Sequence, residues 1–81
     1  LVDVALIKNL AGNIGADKVT LKRGETSVGF NKIADMDARV VEASREHGGM
    51  LNAASAAISF PSAAKMLKFL LDCDKIDRSN D

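Results

Sequence analysis

Apolar residues return every three or four positions at the start of the chain. Val4, Ile7, Leu10, Ala11 and Ile14 share one stripe about 120° wide on a helical wheel, with Lys8, Asn9, Gly12 and Asn13 opposite. The spacing predicts a helix from about Val2 to Asn13, closed by Gly15 as a left-handed cap. The period then changes to two. Val19 and Leu21 alternate with Lys18, Thr20 and Lys22, and Val28 and Phe30 alternate with Ser27 and Gly29, the pattern of two half-buried strands. Between them Gly24-Glu25 fits a two-residue turn with Gly at the first central position. That turn pairs Leu21 with Val28 and Val19 with Phe30, and puts all four on one face.

A second helix is signalled by Asp35, with Asp37 in its first turn, where the helix dipole favours an anion. It carries Met36, Val40 and Ala43 on one face and stops at Gly48-Gly49. Met50–Asn52 and Ala57–Phe60 read as two short strands around an Ala/Ser turn. Pro61 breaks the second of these, and Ser62 caps a third helix of about Ala63–Cys73. The stretch from Asp74 to Asp81 is almost entirely polar and reads as a fraying terminus. The order α-β-β-α-β-β-α predicts an α+β fold, a small and mostly antiparallel sheet with helices packed on it. Residues 1–76 form the expected domain and residues 77–81 a polar tail.

The third helix is more apolar than such a fold requires. Its wheel is apolar from Phe69 and Cys73 at one margin, through Met66, Leu70 and Leu67, to Leu71 and Ala64 at the other. That arc spans about 220°, against the ~100–140° that covers one face of a small sheet. Lys65, Lys68, Asp72 and Lys75 lie outside it. Leu67 and Leu70, at the centre, are expected in the core. Either the first helix packs against the flank of this arc, or part of it meets upstream chain or a partner. For that second case the margins, Phe69 with Cys73 and Leu71 with Ala64, are the contact candidates, and one of them is expected to form an exposed apolar patch.

Composition narrows the chemistry. The chain has 81 residues, enough for one small core. Of its apolar residues 12 are Ala, so large core side chains are fewer than a hydrophobic share of 47% suggests. Eleven basic and eleven acidic residues cancel, and only Phe30, Phe60 and Phe69 could stack on a base, which argues against a nucleic-acid binder. No apolar run approaches the ~20 residues that span a bilayer, and the single Cys73 is compatible with a reducing compartment. A soluble cytoplasmic chain is expected. Its start at Leu1, inside an apolar run, reads as a piece of a longer protein entered in mid-helix.

No catalytic or metal-binding signature emerges. Gly12-Asn13-Ile14-Gly15 matches a G-x-x-G backbone clamp, but joins a helix to a strand and reads as helix termination. His47, the one histidine, falls at the end of the second helix, where it can cap exposed carbonyls; the sequence places no nucleophile or orienting acid beside it. Asp72, Asp74 and Asp77 imitate the opening of a calcium loop, yet Ile76 stands where a ligand belongs and no bidentate Glu follows. One histidine and one cysteine do not make a structural zinc site. The expected chain has no catalytic residues, cofactor or metal, and Cys73 is expected to be a small buried hydrophobe.

The order of elements, with the texture of Leu1–Ala11, Gly15, Lys18-Val19-Thr20-Leu21 and Ala57-Ile58-Ser59-Phe60, resembles the last domain of bacterial transcription-repair coupling factors. The resemblance spans about Leu1 to Ile76 and rests on apolar pattern and element order. The chain departs from it in the Ala-rich Asn52–Ala57 turn and in a last helix with one aromatic, Phe69. The resemblance implies a parent that is an ATP-driven DNA translocase, which removes stalled RNA polymerase at lesions and recruits the damage-recognition subunit of excision repair. It also implies that this domain is a non-catalytic clamp, docking on the parent's repair-recruiting module and masking it. Its neutral charge, sparse aromatics and short apolar runs separately predict no direct contact to DNA or membrane. The alternative from the residues alone is a free-standing protein-binding or homodimerisation module that uses the surplus helix face.

Overall fold

A computed structural model describes residues 3–79, with side chains described through Lys75. Its elements are α1 (Val4–Asn13), β1 (Lys18–Lys22), β2 (Glu25–Gly29), a 3₁₀ turn (Ile33–Asp35), α2 (Ala38–Glu46), β3 (Met50–Asn52), β4 (Ala57–Phe60) and α3 (Ala63–Ser79). The four strands form one sheet in the order β1-β2-β4-β3, and each neighbouring pair is antiparallel. This is the α+β architecture and element order read from the pattern. The expected helix start at Val2 and the last two residues of the polar tail lie outside the described residues.

Strand alternation decides what the sheet faces. Val28, Phe30, Ile58 and Phe60 are buried and point to one side, where they join Ile7, Leu10 and Ala11 of α1, Val40 and Ala43 of α2, and Met66, Phe69, Leu70 and Cys73 of α3 in a single core. The Phe60 and Phe69 rings meet there at 4.9 Å between centroids, tilted by 33°, a geometry that aromatic pairs favour. The other side carries Lys18, Thr20, Lys22, Ser27, Met50, Asn52 and Ser59, all exposed or half-exposed. All three helices therefore cover one face of the sheet, and its second face is open.

Local signals set the ends of the helices. Asp3 caps α1 by accepting a hydrogen bond from the Leu6 N–H, and Ser62 Oγ accepts from the Lys65 N–H in the first turn of α3. Two helices close in the same way. In α1 the Ala16 N–H donates to Ala11 O and the Gly15 N–H to Gly12 O; in α2 the Gly49 N–H donates to Ser44 O and the Gly48 N–H to Arg45 O. Both are Schellman closures, with Gly15 (φ +84°) and Gly48 (φ +79°) in the left-handed conformation that glycine adopts without a Cβ penalty.

Several expectations are corrected. The β1–β2 register pairs Val19 with Val28 and Leu21 with Thr26, not Leu21 with Val28 and Val19 with Phe30. The turn is Arg23-Gly24, with Gly24 second and at φ +83° as in a type II turn, instead of Gly24-Glu25. Because the slip is two residues and not one, every side chain keeps its face: Val19, Leu21, Val28 and Phe30 remain on the core side, Thr20 and Ser27 on the open side. Phe30 lies just past β2, where its N–H donates to Ala56 O at 2.7 Å. Asp37, not Asp35, caps α2, accepting from the Arg39 N–H at 2.8 Å, while Asp35 ends the preceding 3₁₀ turn. Val4, expected in the buried stripe of α1, is 46% exposed; Ile7, Leu10 and Ala11 are buried, and Ile14 is half-buried. Finally, α3 does not stop near Cys73 but continues to Ser79, so the polar stretch after Asp74 is helical through that residue.

Candidate functional site

The surplus apolar arc of α3 resolves into two unlike flanks. Phe69 is fully buried and Cys73 nearly so, with Met66 and Leu70 fully buried between them. On the other flank Leu71 is 41% exposed and Ala64 is exposed. Leu67, half-buried and packed against the core, separates this flank from the interior. Of the four contact candidates, Phe69 and Cys73 therefore lie in the core, and the open margin is the one that carries Leu71 and Ala64. Leu70 takes its expected core position in full, and Leu67 in part.

The closed flank is sealed by α2. His47, the residue that ends α2, hydrogen-bonds through Nε2 to the Asp72 carboxylate on α3, and its side chain is largely buried. His47 takes the expected place at the end of the helix, but only its backbone N–H makes the cap bonds; the ring, expected on exposed carbonyls, turns instead to an orienting acid that the sequence did not reveal. Its bonded partner is a carboxylate and not a hydroxyl or thiol, so the pair resembles an interhelical tie more than a nucleophile with its base. Nearby, burial pushes the Cys73 thiol up to about 12, with the Asp72 and Asp37 charges adding to the shift. A thiol held neutral in the core is a poor nucleophile and a small hydrophobe. At the far end of α2 the Arg39 guanidinium hydrogen-bonds Asp37, and with the Arg39 N–H it holds that exposed carboxyl below its ordinary value.

The other chemical motifs take ordinary structural positions. Gly12-Asn13-Ile14-Gly15 spans the end of α1 and its Schellman closure. Asp72 and Asp74 lie within a continuous helix instead of a loop, so they cannot wrap an ion as the opening of a calcium loop does. Among the described residues no group of three or more His, Cys, Asp or Glu side chains could hold a metal ion. No helix among them is long and apolar enough to cross a membrane. No family model, curated protein or solved structure matches the chain.

Proposed function

We propose that this chain is the non-catalytic regulatory domain of a transcription-repair coupling factor. It docks within its parent on the module that recruits excision repair, and keeps that surface masked until the motor engages stalled RNA polymerase. The observation that supports the reading is the open margin of α3. A helix whose opposite flank is sealed into the core presents Leu71 and Ala64 outward beside half-buried Leu67. Apolar surface of this kind on a small domain commonly marks a contact. The element order α-β-β-α-β-β-α, which the resemblance implies, adds to it.

The mechanism is a shift of population between docked and released forms. If docking favours the closed form by about 3 kcal/mol, the open form is populated at roughly 1% and remains within reach of a partner that binds it selectively. The domain needs no active site for this, only a contact whose strength is matched to the energy the motor or polymerase supplies. The test is a Leu71→Asp substitution in the full-length parent. It is expected to weaken docking and raise constitutive capture of the excision-repair damage-recognition subunit, while the melting curve of the domain is unchanged. Unchanged capture by a folded variant would place the masking surface elsewhere.

A further inference from the structure

The two outer strands of the sheet are built differently. β1 carries Lys18 and Lys22 at its ends, both exposed, and lysine on an edge strand is a standard guard against pairing with another chain. β3, Met50-Leu51-Asn52, is exposed along its whole length and has no charged residue. Met50 is 75% exposed on the open face of the sheet and Leu51 is 41% exposed on the core side, so both faces of this edge are apolar. The strand is paired on one side only, with β4, and its other side offers unpaired backbone groups.

We propose that β3 is a pairing edge that joins two copies of this chain across a two-fold axis, continuing the sheet from four strands to eight. The choice of a second copy follows from charge and register. Antiparallel pairing centred on the axis sets Leu51 against Leu51 of the other copy and Met50 against Asn52, with no like charges opposed. The same operation on β1, centred on Thr20, would oppose Lys18 to Lys22 at both ends, which is destabilising for directly facing charges. The whole chain has a net charge of zero and a pI near 6.8, so two copies meet without long-range repulsion at neutral pH. Three residues a side form a small contact, well under the ~1,200 Å² of a stable interface, and the association is accordingly weak and reversible. The inference uses a different element from the docking margin of α3 and does not rest on it.

Sedimentation velocity on this 81-residue chain, from about 10 μM to about 1 mM, covers the range in which contacts of this strength are populated. The expected result is a concentration-dependent monomer–dimer equilibrium. Leu51→Lys and Leu51→Glu should each abolish it, because each places like charges face to face across the axis. An equimolar mixture of the two should restore association, a result specific to Leu51 lying opposite itself. Thr20→Lys on the other edge should leave the equilibrium unchanged. Circular dichroism checks that each variant is folded, and if a Leu51 variant is not, the double variant Met50→Lys/Asn52→Lys, which sets like charges at the two opposed positions, serves instead. A wild-type monomer at about 1 mM overturns the proposal, as does a dimer that survives Leu51→Lys or a mixture that stays monomeric. Binding of an extended peptide from another protein at β3 by a chain that never self-associates would overturn it as well.

Discussion

Cys73 and Leu71 are two residues apart on one helix and face opposite fates. Cys73, with Phe69 one turn before it, is buried in the core, and His47, which caps the end of α2, reaches across to bond the neighbouring Asp72. Leu71 and Ala64, larger and smaller apolar residues on the opposite margin, are exposed. Hydrophobicity does not separate the flanks, since leucine is the stronger hydrophobe of the pair at 71 and 73. What separates them is the position of a second helix. An apolar arc states how much surface a helix can bury, while the packing of its neighbours decides which part is buried.

The largest effects are expected in the interior. Phe69→Ala should cost about 3–5 kcal/mol and Leu70→Ala about 2–5 kcal/mol in chemical denaturation, a large share of the roughly 4–12 kcal/mol expected for a chain of this length. Either variant can leave the domain largely unfolded. If Phe69→Ala is mild, the flank under α2 is not the sealed one.

Next comes the response to alkali. The Cys73 thiol is raised in the folded state from an ordinary 9.0 to about 12. Between those values the folded chain holds a proton that the unfolded chain releases, so stability falls as pH rises through 9 and continues to fall to about 12. Below 9 the group contributes no pH dependence. Denaturation midpoints measured across this range should show a decline that Cys73→Ala lessens. The same burial should protect the thiol from alkylation in the native chain and expose it on unfolding.

The tie that closes the flank is smaller. A double-mutant cycle of His47→Ala and Asp72→Ala should return a coupling of roughly 1 kcal/mol, between the values usual for exposed and for buried pairs. Additivity would show that α2 is held by packing alone. The smallest effect belongs to the open margin, where Leu71→Asp should change stability by less than about 0.5 kcal/mol, as surface substitutions do.

How far these features were legible follows from the distance between the residues involved. The β3–β4 hairpin could be read to the residue, because Asn52 and Ala57 bound a short turn and Asn52 Oδ1 accepts from the Ala54 and Ser55 N–H groups within it. The β1–β2 register could be read only modulo two. Alternation fixes which face Val19 and Val28 occupy, but the turn geometry and the pairing of β2 with β4 fix which residues meet. The extension of α3 to Ser79 was hidden because a polar stretch with Lys and Asp suits a helix as well as a tail. The His47–Asp72 bond spans 25 positions between two helices, and no periodicity carries such a contact. Which flank of α3 lies open depends on that same long-range packing, so the four contact candidates could be named from the sequence and not divided.

If the Leu71 margin of α3 docks within a coupling-factor parent, the domain should act when it is supplied in trans. A full-length parent of the resembled class, with its own last domain deleted, should capture the excision-repair damage-recognition subunit constitutively. Adding this chain should suppress that capture in a dose-dependent way, and adding the folded Leu71→Asp variant should not. Equal suppression by both, or by neither, would rule out docking through the Leu71 margin.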